Sequence, residues 1–294
     1  VKVGPLHGRT VVVTGAARGV GAALARHLSR RGARLALVGH EKDALDALAA
    51  ELCTWAVAWE ADVTDDAALD GVAREVRGRL GIPSVVIANA GVAEGGPFAD
   101  SDAASWRRVI DVNLTGSAIT ARAFLPDLLT TAGYFLQIAS LASIGAAPMM
   151  SAYCASKAGV EAFAHSLRAE LAYQRVAVGI AYINWTDTDM IRDADQQAVL
   201  RELRAHMPPP ARRVYPVDTV ATRLVRAIER RRTSVYVPAW LMAAQVARAA
   251  LPPLVMRLSR HALPRLAARE MLRPTGLLGA GGQADRTWAA GRGP

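Results

Sequence analysis

Tyr153 and Lys157 stand four residues apart within a helical pattern over 151–173, so the two side chains share one helix face. A free phenol has a pKa of about 10, too high for an efficient base near neutrality. A neighbouring ammonium stabilises phenolate and lowers that value, which makes the pair a candidate for handing a proton to or from a substrate oxygen. The lysine is conspicuous: of 35 basic residues, only Lys2, Lys42 and Lys157 are not arginine. A planar guanidinium is a poor substitute for a compact ammonium with three rotatable donors. Alone, Tyr153 would read as a half-buried helix aromatic. Cys154 beside it has no paired base in the sequence and reads as a small packing residue.

A second feature lies near the start of the chain. The β-branched run Thr10–Thr14 leads directly into Gly15-Ala-Ala-Arg-Gly19-Val-Gly21, and an Ala/Leu-rich helical pattern follows. The three glycines have separate jobs: a tight turn, close backbone approach to a pyrophosphate, and close helix–strand packing. A helix N-terminus at Gly19 would add a partial positive charge for the anion. A glycine loop alone is weak evidence, but its place after a strand and before a helix is the context a dinucleotide site requires.

The elements that must hold these groups alternate along the first 190 residues. Strands are predicted at Thr10–Thr14, 34–38, 55–61, 84–88, 134–139 and 176–183, with helical patterns between them, including 19–31, 42–52 and 65–80; Ser234–Val237 would close the sheet. Such βαβ alternation predicts a doubly wound parallel sheet in three α/β/α layers, with ligands at the carboxyl ends of the strands. No internal repeat is apparent. The predicted organisation is a dinucleotide-binding catalytic domain over 1–237, a helical extension over 238–275 and a flexible tail over 276–294, where Gly and Ala leave little to bury.

The motifs, taken in order, resemble the short-chain dehydrogenase/reductase family over about residues 8–237. TGAARGVG at 14–21 matches its cofactor loop, with Gly15, Arg18, Gly19, Val20 and Gly21 as expected contacts. Asp62 and Val63 follow the third strand, where the family contacts adenine. Asn89 and Gly91 resemble the element that steadies the sheet beside the cofactor. Asn113 stands where the family has a catalytic asparagine, and Ser140 precedes Tyr153 and Lys157 as in the family's serine and Tyr-x-x-x-Lys set. The resemblance implies a Rossmann-like fold and hydride transfer between a nicotinamide and a carbonyl or alcohol carbon. Ser140 would donate to the substrate oxygen, Lys157 would reach the nicotinamide ribose, and Asn113 would support a water relaying protons to Lys157. Thr186 and Thr188 align with the carboxamide-binding loop. There the chain departs from the family: Ile183-Asn184 replaces the usual Pro-Gly. A rival reading keeps the fold and the bound cofactor but makes the chain a non-catalytic scaffold or regulator.

NADP(H) is favoured over NAD(H). Gly39 stands at the end of the second strand, where an acid would hold the ribose 2′-hydroxyl. Arg18 and His40 offer donors to a 2′-phosphate. Glu41 is the counterweight. On the substrate side, Leu141, Ala142, Ala147, Met149, Met150, Trp185 and Met190 are expected to border an apolar pocket suited to a hydrophobic ketone or secondary alcohol.

Charge is uneven: the net of +9 resolves into −3 over 1–199 and +12 over 200–294. The positive charge belongs to the C-terminal part. No recognition motif accompanies it, so nucleic acid is not an expected partner. Residues 239–263 carry Trp240, Leu251, Leu254 and Leu258 among arginines and read as a helix broken at Pro252-Pro253. This stretch is expected to pack on its own domain, where it could cover the pocket, or on a second copy in a homodimer or tetramer, with peripheral membrane contact as the alternative. Cys53 and Cys154 fit no disulfide framework or metal spacing, and the six histidines show no ligand pattern, so no metal is expected. No signal peptide is visible at 1–9, and no apolar run reaches the roughly 18 residues of a membrane span. The expected location is cytoplasmic, with the membrane periphery as the variant.

Overall fold

The computed structural model describes residues 4–269 and 272–291. Residues 1–3, residues 270–271 of the predicted extension and residues 292–294 of the predicted tail lie outside the described residues. Seven strands form one sheet: β1 (Thr10–Thr14), β2 (Arg34–Gly39), β3 (Ala56–Glu60), β4 (Pro83–Ala88), β5 (Tyr134–Ser140), β6 (Ala177–Ile183) and β7 (Ser234–Val237). Their spatial order is β3-β2-β1-β4-β5-β6-β7 and every pairing is parallel. The predicted Rossmann-like doubly wound sheet is what forms.

The helices are α1 (Gly19–Ser29), α2 (Lys42–Glu51), α3 (Asp66–Leu80), α4 (Ala103–Ile110), α5 (Gly116–Thr131), α6 (Leu141–Ile144), α7 (Ser151–Leu171), α8 (Asp189–Gln196), α9 (Ala198–Ala205), α10 (Pro209–Arg212), α11 (Val217–Glu229), α12 (Leu241–Val246), α13 (Leu251–Arg269) and α14 (Gly279–Gly291). Alternation along the strands feeds two cores. Val12 joins Val86, Phe135 and the α3, α5 and α7 residues Leu69, Phe124 and Val160 on one face. Val11 and Val13 join Leu24 of α1, Leu45 of α2 and Leu224 of α11 on the other. Each such side chain, fully removed from water, contributes roughly 1.5–3 kcal/mol before entropy is charged. Connections leave β1 and β4 toward opposite edges, so the crevice outside Gly15 and Asn89 is the topological switch point.

The C-terminal part differs from its expectation in two ways. Pro252 and Pro253 do not break a helix; they occupy the first turn of α13, where a missing N–H is harmless. A 3-10 turn at Arg248–Ala250 separates α12 from α13 instead. The segment predicted to be a flexible tail forms α14 and packs against α8, with Leu277, Leu278 and Asp285 buried. Composition missed this because the segment draws its order from tertiary contacts, an ion pair and a ring stack rather than from an apolar stripe. No helix among the described residues is long and apolar enough to cross a membrane.

Candidate active site

β5 ends at Ser140 and α7 starts at Ser151, and the turn between them brings strand end and helix face together. The Tyr153 hydroxyl faces Ser140 across the cavity wall, and Ser140 Oγ accepts from the Ala142 N–H at 3.1 Å. One turn along α7, Lys157 Nζ lies 5.6 Å from the centre of the Tyr153 ring. The lysine is only 5% exposed and donates to Ile138 O at a long 3.4 Å. Burial pushes the Tyr153 phenol up to about 12, although Ser140 beside it works in the opposite direction. Burial pulls the Lys157 ammonium down to about 8. In the ligand-free chain the phenol is therefore protonated at neutrality, poised as an acid.

Asn113 lies in a π-helical turn, Asp111–Thr115, that joins α4 to α5; such turns are frequent at functional sites. Its side chain is fully buried. It accepts from Val92 N–H at 2.8 Å and donates to Val92 O at 3.0 Å and Ser156 Oγ at 2.9 Å. A Cβ at Gly91 would sit 3.1 Å from Asn113 Oδ1 and 3.5 Å from Lys157 Nζ. The bare glycine thus keeps the space between amide and ammonium open.

At the phosphate end, Gly15 and Gly19 adopt φ of +61° and +51°, which side chains rarely tolerate. A Cβ on Gly21 would lie 2.1 Å from Gly15 O, so this glycine lets α1 press onto the loop. Asn89 Nδ2 donates to Thr14 O and Gly15 O at 3.0 and 3.1 Å, and Thr14 Oγ1 accepts from the N–H groups of Asn89 and Ala90. The expected steadying element is thus fastened to the loop. Arg18, the residue before α1, makes no side-chain cap, so the first N–H groups of α1 remain free for an anion. Thr188, just before α8, approaches Gly19 closely, which brings the loop after β6 against the phosphate loop.

The end of the groove beside β2 and α2 carries charge pairs that the sequence does not announce. Arg18 is engaged by Glu41, with Nε 2.6 Å from Oε2 and Nη2 on Oε1, and a second carboxylate, Asp189, is 3.7 Å away. Asp62 Oδ1 accepts from the N–H and hydroxyl of Thr64, both at 2.8 Å, and Asp62 Oδ2 accepts from Arg108 at 2.8 Å. Burial works to raise the Asp62 carboxyl, but His40, Thr64 and Arg108 outweigh it and hold it well below the usual carboxylate range.

One continuous cavity of about 470 Å³ runs from the phosphate loop to α13. Of the residues singled out from the sequence for catalysis or cofactor binding, all line it except Gly21, Asp62 and Asn113, which support it from behind. Of the seven expected to border the pocket, Met149 alone does not. It sits in a turn at φ +64°, its carbonyl accepting from Gly96 N–H. The stretch at 239–263 covers the pocket, one of the placements expected for it: Trp240, Ala244, Leu251, Leu254, Val255 and Leu258 close the apolar end. Sequence reasoning missed what Asn184 does in place of the usual Pro-Gly. Its Nδ2 donates to Ala211 O and Arg213 O, both at 3.2 Å, and so ties the loop after β6 to the segment that caps the cavity.

These residues suit a dinucleotide on physical grounds. Left-handed glycines bring backbone close, an uncapped helix N-terminus faces the groove, and the buried Lys157 ammonium has a single long bond, to Ile138 O, among the described residues. The comparisons agree. Residues 9–199 match the short chain dehydrogenase family. A glycine betaine reductase of Emericella nidulans is 32% identical over 230 residues, 76% of this chain but 18% of that protein, so the chain spans under a fifth of that relative. A meso-2,3-butanediol dehydrogenase of Serratia marcescens is 36% identical over 153 residues, 52% of this chain and 61% of that one. A solved short-chain dehydrogenase/reductase from Burkholderia phymatum, in complex with NAD, superposes with a TM-score of 0.72 at 27% identity, covering 82% of this chain and 93% of that one. The loop, the sheet order and the match over most of the sheet lead to one conclusion: this chain belongs to the short-chain dehydrogenase/reductase family of oxidoreductases, which use a nicotinamide cofactor.

Proposed function

We propose that the chain interconverts a hydrophobic ketone and its secondary alcohol with NADP(H), Tyr153 serving as general acid and base. The observation that supports this most is the placing of Ser140, Tyr153 and the buried Lys157 ammonium, 5.6 Å from the Tyr153 ring, on one wall where the phosphate-loop groove meets an apolar cavity. The nicotinamide, when bound, supplies the hydride in reduction and accepts it in oxidation. In reduction Tyr153 gives its hydroxyl proton to the substrate oxygen as carbon gains the hydride, while Ser140 donates to that oxygen and fixes its position. Lys157 stabilises the phenolate left behind. Asn113, locked to Val92 and Ser156, holds the gap beside Gly91 through which Lys157 is reprotonated. Oxidation reverses each transfer.

Arg18 and His40, with Gly39 in place of an acid, are the basis for preferring NADP(H). One observation supports NAD(H) as a second reading. A 2′-phosphate must displace Glu41 from Arg18, whereas a 2′-hydroxyl can donate to Glu41 as it stands. Glu41→Ala therefore discriminates, because freeing Arg18 improves NADPH and removing the acceptor harms NADH.

The apolar cavity supports a substrate bulkier than the butanediol for which one relative is named. Turnover of a series of methyl ketones, followed by nicotinamide absorbance with NADPH and with NADH, tests the reading. Rates are expected with NADPH, and kcat/KM should rise with chain length at about tenfold per two methylenes removed from water, the order set by roughly 0.8 kcal/mol per CH₂. No turnover with either cofactor, despite tight binding, would leave a non-catalytic scaffold.

Gly21→Ala tests the phosphate loop. With a Cβ 2.1 Å from Gly15 O and 2.7 Å from Asn89 Nδ2, loop and helix must part. NADPH affinity, measured by cofactor fluorescence, is expected to fall at least tenfold, corresponding to about 1.4 kcal/mol. Unchanged affinity would refute the assignment.

A further inference from the structure

The last described segment of the chain crosses the cofactor groove. Thr275 N–H donates to Gly95 O and Leu278 N–H to Ala93 O, both at 2.8 Å, and Thr275 Oγ1 accepts from Gly95 N–H at 2.9 Å. Leu277 and Glu94 form an antiparallel bridge. The segment is thereby laid along residues 93–95, just beyond Gly91. It then turns at Gly279, whose φ is +72° and whose Cβ would lie 2.7 Å from Met190 Cα. Gly279 N–H donates to Asp193 of α8 at 2.7 Å. From there α14 runs over the adenosine end.

Two contacts anchor the far end of α14. Asp285, 3% exposed, accepts from Arg108 Nε at 2.9 Å and Nη2 at 2.7 Å, and the same guanidinium holds Asp62 and Thr64. Burial opposes the Arg108 charge, but Asp285 and Asp62 outweigh it and raise the group above its ordinary value. Trp288 stacks on His40, ring centres 4.7 Å apart and planes 3° from parallel. His40 follows directly on Gly39, the strand end where the adenosine ribose is read.

Between these anchors the helix presents Gly281, Ala284 and Asp285 to the cavity. A Cβ at Gly281 would meet nothing within 4 Å. The helix is therefore fixed at Gly279, Asp285 and Trp288, while the space beside Gly281 stays open.

We infer that residues 275–288 are part of the cofactor site, with α14 forming a roof over the adenosine half of the dinucleotide through its Gly281–Ala284 face. This rests on the reading of the groove as a nicotinamide-cofactor site. The roof adds apolar surface to a moiety that would otherwise have one face in water, and it makes cofactor release depend on α14 lifting. The anchor residues set its height: the Arg108 ion pairs fix one end, and the His40–Trp288 stack places an aromatic pair beside the ribose.

The test uses the full chain and two variants, with NADPH and NADH binding read by titration of cofactor fluorescence and release by stopped-flow chase. In Gly281→Leu the side chain starts into open space, since a Cβ there meets nothing within 4 Å. The unliganded unfolding midpoint should stay within a few degrees of wild type while Kd rises at least tenfold. In Trp288→Ala the roof loses its stack on His40, and the release rate is expected to increase at least fivefold. Unchanged Kd and unchanged release in both variants, or tighter binding in either, would overturn the inference and make α14 a bystander or an obstruction. Should Gly281→Leu fail to fold, Trp288→Ala carries the test alone. If the wild-type chain bound neither cofactor, the reading of the groove itself would fail, a result distinct from variants that bind like wild type.

Discussion

Tyr153→Phe is expected to leave NADPH affinity within about twofold of wild type and to lower kcat for ketone reduction by about a thousandfold, the mid-range of general acid–base contributions. The ring keeps its place in the cavity wall and only the hydroxyl is lost. Ser140 keeps its place in the cavity wall and still donates to the substrate oxygen, so KM should change little. What disappears is a proton donor whose acidity is matched to an alkoxide. Burial holds the phenol up to about 12, so at neutral pH it carries its proton and is ready for reduction. As a base it is unfavourable until positive charge gathers around it, which in oxidation comes from Lys157 and the oxidised nicotinamide. Reduction is therefore expected to run flat from pH 6 to about 8 and to decline above it as Lys157 loses its proton. Steady-state rates across pH, with Kd from fluorescence, check both statements. A Tyr153→Phe chain that retained a tenth of wild-type kcat would remove the tyrosine from the chemistry.

Lys157→Met is expected to abolish detectable turnover and yet to make the ligand-free protein more stable. The ammonium is buried, with one long bond to Ile138 O, and its pKa falls from 10.5 to about 8. Such a depressed base costs stability wherever the unfolded chain holds the proton more tightly than the native one. Between about pH 8 and 10.5 the unfolded state binds more protons, so native stability rises with pH across that window, and the penalty is fully present below it. Its size at pH 7 is about 3 kcal/mol, from 1.36 kcal/mol per pH unit. Methionine has nearly the same length and no charge to desolvate. Thermal unfolding without cofactor should show a midpoint several degrees above wild type at pH 7, with the gap narrowing toward pH 10. A variant less stable than wild type at pH 7 would mean that the ammonium is well satisfied in the empty site. Stability surrendered for function is common at catalytic groups.

His40, Asp62 and Asp285 show how residues far apart in sequence come to share one electrostatic environment. Asp285 lies 3.7 Å from His40 and 2.7 Å from Arg108, and Asp62 lies 3.6 Å from His40. A carboxylate from the last helix thus takes part in setting the charge around His40. Together with Glu41 on Arg18, it makes this end of the groove less basic than the loop sequence alone suggests.

The amino-acid sequence determined whatever depends on neighbours along the chain. Helical spacing put Tyr153 and Lys157 on one face, the strand before Gly15 and the helix after Gly19 framed an anion site, and alternating β-branched runs specified a parallel doubly wound sheet. Each of these is a short-range preference of backbone and side chain, so a window of a few residues contains it. Tertiary structure alone decided which distant groups meet. The Arg18 pair with Glu41, the Asn184 bonds to the segment at 211–213 and the Arg108 pair with Asp285, 177 residues away, join groups whose separation no periodicity encodes. The Gly/Ala-rich end shows the difference best: with few apolar side chains it carries no local signal for order, and it becomes a helix because Arg108, His40 and α8 are already in place to receive it.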